Sequence, residues 1–360
     1  MASERARRRT AAPRAARGFV LAITLWLLAG IAVAVGLMML WSLDRVRQAS
    51  AAHRHLEDEL AVWSTRDTLL YIASTREMTL AGLTVEPLSD ERRAMRLLDD
   101  MGSLIRDPIG GELRLDGSPY QGLRNTRFAI QDEAGLYPVV WPGDAALDAF
   151  LVAEGVPAEQ APHLRDTLLD YIDADDLNRL NGAESRDYER EHLPPPPNRR
   201  LLAPSEILRP MGWSALPAAL REKLPGIVTP YYSGSVNLNT VPRELLPVWI
   251  PGCPQTCDRL VEARRQAPFV SGFDVQSRLG IVLPGDEAVG YRFIADRALR
   301  LTLWGETGVA WRIHVRLTPL VDKLGPWSIL ASYPVARPTL DEPADETGSS
   351  LLADPAPDRR

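Results

Sequence analysis

The sequence predicts an α+β protein: one long N-terminal helix, an antiparallel sheet, and a large helical domain inserted between the two parts of that sheet. Three observations predict it. Phe19 to Leu43 is a run of 25 residues without a charge. Segments with an apolar residue at every second position occur near 127–131 and again over 299–317. Between them, over residues 143–289, helical pieces alternate with proline- and glycine-rich breaks. A chain that starts a sheet, leaves it and later returns to complete it carries an insertion.

The helix comes first. A bilayer core of roughly 30 Å is crossed by about 20 helical residues, so 19–43 is long enough to span one. Arg5, Arg7, Arg8, Arg9, Arg14 and Arg17 crowd the leader, residues 1–18. Basic flanks stay on the cytoplasmic side, which places everything after Asp44 across the membrane. A secretory signal peptide has an apolar region of about 7–15 residues and a small-residue cleavage site. This run is longer and ends in Trp41-Ser42-Leu43-Asp44. A core helix of a soluble domain would show a polar face, and this segment has none. The helical pattern continues over 44–85, where Leu56, Leu60, Trp63, Leu69, Leu70 and Ile72 recur among charges. His53 and His55 beside Glu57 read as a solvated face of that helix rather than a metal site. Pro87 closes it.

The first part of the sheet is expected within 86–142. Its strands are Glu112–Asp116 and Arg127–Gln131, the latter running into the turn Asp132-Glu133-Ala134-Gly135. The second part is expected within 290–335. Leu299, Leu301 and Leu303 alternate with Arg300 and Thr302. After Gly305-Glu306-Thr307-Gly308, the residues Trp311, Ile313, Val315 and Leu317 alternate with Arg312, His314 and Arg316. Period two around a glycine-containing turn predicts a half-buried antiparallel hairpin, and Trp327–Tyr333 supplies a third strand. Residues 336–360 have no core pattern and are expected to form a disordered tail.

Composition narrows the function classes. Net charge is −6, and six arginines sit in the leader, so the exported part is more acidic still. That balance disfavours a nucleic-acid partner, because affinity for phosphate backbones rests on Lys and Arg. Local catalytic motifs are missing: there is no Gly-rich phosphate loop, no G-x-S-x-G elbow and no H-E-x-x-H. The two cysteines, Cys253 and Cys257, would face an oxidising compartment if the helix is an anchor. Their spacing of four puts them about one helical turn apart, near the upper limit for a bridge. A local disulfide and two free thiols both remain open.

Two motifs carry chemical content. In Tyr171-Ile172-Asp173-Ala174-Asp175-Asp176, three aspartates fall within four positions, and Glu184 follows after Gly182-Ala183. A hard cation such as calcium takes 6–8 oxygen ligands from such clusters. Asp173, Asp175 and Glu184 match positions 1, 3 and 12 of a calcium-loop template, but Leu177 and Asn178 break it at 5 and 6. An irregular calcium loop using Asp173, Asp175, Asp176 and Glu184 is one reading; a solvated or helix-capping acidic loop with Arg179 and Arg186 as partners is the other. The second motif is Val236-Asn237-Leu238-Asn239-Thr240-Val241-Pro242, where Thr240 or Asn239 is placed to cap a helix starting near Pro242. With the following Pro251-Gly252 turn and the helix through Ala263-Arg264, residues 236–280 have the form of a helix-hairpin-helix unit. Such units often grip DNA; here the acidic surroundings favour a packing role.

These stretches, taken in order, resemble the K minor pseudopilin of the bacterial type II secretion system. Arg17-Gly18-Phe19 before the apolar helix looks like a prepilin peptidase site cut between Gly18 and Phe19. The fifth mature residue would be Ile23, where most pilin-like proteins keep a glutamate and the K type does not. Asp173-Ala174-Asp175-Asp176 with Gly182-Ala183-Glu184 and Tyr188 is the second match. Val236 to Pro242, Pro251-Gly252, Ala263-Arg264 and Pro268-Phe269 form the third. Two departures stand out: Leu177-Asn178-Arg179-Leu180 replaces further acidic and glycine residues, and Leu136-Tyr137-Pro138 follows the early turn.

The resemblance implies a pilin-like antiparallel core with the helical domain inserted in it, and a non-enzymatic role. It implies a single-pass inner-membrane protein with a cytoplasmic leader, a methylated mature N-terminus and a periplasmic main domain. Its implied place is the tip of a short pseudopilus beside the I and J pseudopilins, with the secretin and cargo as further contacts. The filament helps export folded proteins across the outer membrane. Two rival readings are a membrane-anchored helix-hairpin-helix protein for DNA uptake and an anchored periplasmic hydrolase with dispersed catalytic residues.

Overall fold

A computed structural model describes residues 19–91, 94, 106–139, 144–285, 290–318, 325–339 and 344–353. The leader, including Gly18, lies outside the described residues. The chain divides into two compact units, with the boundary between Glu57 and Asp58.

In the first unit every described residue is helical, and its apolar side chains are exposed; Trp26 is 81% accessible. This is the first part of helix α1, Phe19–Thr75. Among the described residues it is the one helix long and apolar enough to cross a membrane.

The second unit is an α+β fold. Its sheet has five strands: β1 (Asp116–Gln121), β2 (Arg127–Asp132), β3 (Ala298–Trp304), β4 (Ala310–Leu317) and β5 (Trp327–Val335). They lie in the order β5-β4-β3-β2-β1, all antiparallel. The chain therefore leaves the sheet after Asp132 and rejoins it at Ala298, beside the strand it left. The intervening helices are α2 (Asp144–Ala153), α3 (Ala161–Ile172), α4 (Ser185–Arg190), α5 (Ala218–Ile227), α6 (Leu246–Trp249), α7 (Gln255–Gln266) and α8 (Gly272–Leu279).

The described residues form two hydrophobic cores. In the first, Val62, Leu69 and Ile72 of α1 pack with Phe128, Ile130, Leu301 and Ile313 of one sheet face. Asp58 fixes the turn of the β3–β4 hairpin: its carboxylate accepts from the Glu306 and Thr307 N–H groups at 3.0 and 2.8 Å and from Thr307 Oγ1 at 2.7 Å. A Cβ on Gly305 would lie 2.1 Å from Asp58 Oδ1, so any larger residue there displaces that carboxylate. The second core gathers Tyr137, Phe150, Leu168, Trp213, Leu238 and Phe269. It takes in Leu136 and Tyr291 as well, so it extends past 143–289 on both sides.

Four expectations need correction. Helix α1 stops at Thr75 rather than reaching 85, because Ser74 and Thr75 hydroxyls donate back to Tyr71 O and a tight hairpin follows, Met78–Thr79 against Gly82–Leu83. The early strand is Asp116–Gln121, not Glu112–Asp116. Gly117 and Pro119 look like breakers, but an edge strand tolerates both, and the register shifts between Asp116 and Pro119. The β3–β4 hairpin is more buried than expected: all seven residues of β3 are buried, because the helical block covers part of the polar face, while β4 keeps Arg316 exposed. The tail is not disordered over 344–353. Asp345 bridges Tyr120 of β1 in parallel, exchanging backbone hydrogen bonds with Gln121 and Pro119 at 2.8 and 3.0 Å, and Leu352 is buried in the first core. Edge-strand N–H and C=O groups left by β1 supply the pairing.

Candidate functional site

Asp132 ends β2, and its fully buried carboxylate joins two distant segments to its own turn. Its Oδ2 accepts from Asn237 Nδ2 at 2.8 Å and from Thr240 Oγ1 at 3.0 Å. Its Oδ1 accepts from the N–H groups of Ala134 and Asp296, each at 3.1 Å. Burial pushes this carboxyl up to about 6, against the opposing pull of those donors. Gln131 adds a bond from Nε2 to Thr240 O at 2.9 Å. A Cβ on Gly135 would lie 2.6 Å from that same carbonyl, so the turn admits only glycine without adjustment.

The Val236–Pro242 stretch is thus a splint. Asn239 Nδ2 donates to Phe269 O and Phe293 O at 2.9 and 2.7 Å, and its Oδ1 accepts from Phe269 N at 2.9 Å. Arg264 Nη1 donates to Leu238 O and Val241 O at 2.9 and 2.7 Å. The expectation that Thr240 or Asn239 caps a helix near Pro242 is therefore corrected: the turn Arg243–Leu245 has no side-chain cap. Buried backbone groups in a loop need partners, and the two asparagines supply them.

A second buried polar group lies under the sheet's polar face. His314 Nδ1 is 2.6 Å from Glu133 Oε1, and His314 Nε2 is 2.9 Å from the Tyr333 hydroxyl. Desolvation disfavours the charged imidazole, whereas the imidazole bond holds Glu133 ionised despite burial. The neutral ring then donates Nδ1–H to Glu133 and accepts the Tyr333 O–H. Sequence reading placed His314 on a solvated face and missed this pair.

The acidic loop follows α3. Asp173 caps α3 through its backbone N–H. Asp175 Oδ1 accepts from Leu177 N at 2.9 Å, and Asp176 Oδ1 from Asn198 Nδ2 at 3.1 Å. Arg179 approaches Asp170 at 3.3 Å and Asp173 at 3.8 Å. As the side chains stand, no group of three or more His, Cys, Asp or Glu among the described residues closes on a metal. Yet Asp173 Oδ1 and both carboxylate oxygens of Glu184 are buried without a hydrogen bond. Burial, then Asp170 and the three loop aspartates, push Glu184 up to about 7. Unpartnered carboxylate oxygens are what a hard cation takes, so the donor set fits calcium chemically. Asp170 escaped the sequence reading; its i, i+3 relation to Asp173 was the available signal. Gly182 lets Asp170 in: a Cβ there would lie 1.8 Å from Asp170 Oδ2.

Cys253 and Cys257 are bonded to each other, with their Cα atoms 5.1 Å apart. Phe19 opens α1, and its partner at the expected cut, Gly18, lies outside the described residues.

The fold is an α+β unit carrying a long apolar N-terminal helix, which fits a single-pass membrane anchor with a soluble main domain. Over residues 141–229, the chain matches the family described as Type II secretion system (T2SS), protein K. That span contains Tyr171 to Tyr188, one of the stretches that carry the resemblance. Among solved structures, the chain is similar to the crystal structure of the GspK-GspI-GspJ complex from the enterotoxigenic Escherichia coli type 2 secretion system. The identity is 16% and the TM-score 0.49, over 80% of this chain and 100% of that one. No curated protein gives a significant match.

Proposed function

We propose that this chain is the K-type tip subunit of a type II secretion pseudopilus, with a structural rather than a catalytic part in exporting folded proteins. The observation that carries the reading is the protein K match over 141–229, within a helical block that interrupts a sheet on a long apolar helix. A helical block of that size in the exported part suits a cap on a filament. Ile23 in place of a charged residue suits a terminal subunit, which needs no contact with the N-terminus of a neighbour above. The partners are the I and J pseudopilins, and prepilin peptidase removes residues 1–18. The anchor lies in the inner membrane, with the main domain periplasmic; the secretin and cargo lie within reach of the block.

Co-expression of the tagged chain with I and J pseudopilins in membranes tests the partnership. Recovery of a ternary complex after detergent extraction is the expected result; recovery of the chain alone, with I and J pairing without it, contradicts the reading.

Calcium belongs to the same proposal. Asp173, Asp175, Asp176 and Glu184 would hold it, with Arg179 swinging aside. A ligand bound only by the folded chain stabilises it, so melting temperature rises with added calcium. No change between calcium and chelator removes the claim.

A further inference from the structure

We infer that the polar face of the sheet, beside edge strand β1, is a binding groove for an extended acidic peptide segment. The inference does not depend on the pseudopilin reading. A cavity of about 610 Å³ opens there, lined by Arg114, Arg265, Arg300 and Arg312, with Asp345 as the one carboxylate among its described lining residues. That volume is in the usual range for ligand sites. The protein as a whole carries net charge −6, so four guanidinium groups around one cavity run against its composition.

The arginines are built in rather than draped over the surface. Arg300 pairs with His314 across β3 and β4, and Arg312 with Thr302. Arg300 and Arg312 are therefore diagonal neighbours on one face, about 7–8 Å apart between backbones. Arg300 is only 8% exposed, and its Nη1 donates to Gly226 O at 2.7 Å. Arg312 leaves its Nε buried without a hydrogen bond. Burial and the Arg312 charge together push the Arg300 guanidinium down to about 10. Two like charges held side by side lower the cost of taking up an anion between them.

The chain itself shows which kind of anion the rim accepts. Asp345 lies against β1 as an extended segment, and its carboxylate receives Arg114 Nη2 at 2.9 Å while its backbone pairs with the edge strand. The Asp345 segment already fills the β1 edge by backbone pairing, so a peptide in the groove would be held by carboxylate–guanidinium contacts. A peptide with acidic side chains at alternate positions would present them all to the arginine face.

Fluorescence anisotropy of a labelled Ser-Asp repeat hexapeptide against the full chain in detergent tests this. Saturable binding that weakens with salt is expected. Arg312→Gln should weaken it about tenfold or more, from loss of charge-assisted bonds. Asp345→Ala should tighten it, by freeing Arg114, an effect that a purely structural role would not produce. Melting curves identify any variant that fails to fold, and Arg265→Gln on the rim then serves in place of Arg312→Gln. No binding, binding unchanged in both arginine variants, or displacement by equimolar inorganic phosphate would each overturn the peptide groove.

Discussion

The side-chain amide of Asn237 donates to the buried carboxylate of Asp132 at 2.8 Å, across 105 residues of chain. This one bond ties the last residue of β2 to the splint of the helical block. Through Asp296 N–H the same carboxylate also holds the segment that re-enters the sheet. An insertion needs its exit and entry held together, and Asp132 does this with four donors.

Asn237→Ala is expected to destabilise the second unit by about 1–3 kcal/mol, because it strips a donor from a buried carboxylate. Urea unfolding with unchanged slope should report it. Asn237→Asp should be worse, since it sets a second carboxylate against the first.

How much of this was legible in the sequence depends on the range of the signal. The apolar run from Phe19 and the alternation through Leu299–Leu303 and Trp311–Leu317 are local patterns, and those elements stand where they were read. Gly117 and Pro119 hid β1, because an edge strand needs less propensity than a central one. Asp132, Glu133 and His314 read as turn and surface residues. Their burial comes from the helical block lying on the polar sheet face, which no local pattern encodes. The loop aspartates were visible as a cluster, but Asp170 and the unpartnered oxygens of Glu184 appear only once α3 and α4 are placed.

Glu184 gives a pH signature. Its carboxyl is raised to about 7 in the folded chain, from an ordinary 4.5. A raised carboxyl favours the protonated form, so its contribution is full below about 4.5 and is lost as pH rises towards 7. Glu184→Gln is therefore expected to match wild type near pH 4 and to exceed it above pH 7, by on the order of 2 kcal/mol in chelator. Thermal melts across that range check it. If calcium binds there, added calcium narrows the gap by stabilising wild type alone.

The Glu133–His314–Tyr333 chain separates two kinds of loss. Tyr333→Phe removes one hydrogen bond to a neutral ring and should cost about 1 kcal/mol. His314→Ala leaves Glu133 charged and unpaired in the interior and should cost about 3–5 kcal/mol. Equal costs would contradict the assignment of charge to Glu133.

Deleting residues 344–360 should lower the melting temperature and raise self-association, because it bares the β1 edge and empties the site of Leu352. Leu352→Ala alone should cost about 2 kcal/mol while leaving the edge covered. Light scattering separates the two effects: only the deletion is expected to associate.

The pseudopilin account rests most directly on how the N-terminus is made. Co-expressing the full chain with a prepilin peptidase and sequencing the mature N-terminus is the decisive measurement. The account predicts cleavage between Gly18 and Phe19, with Phe19 as the first residue. An uncut chain, or one cut near Asp44, would contradict it.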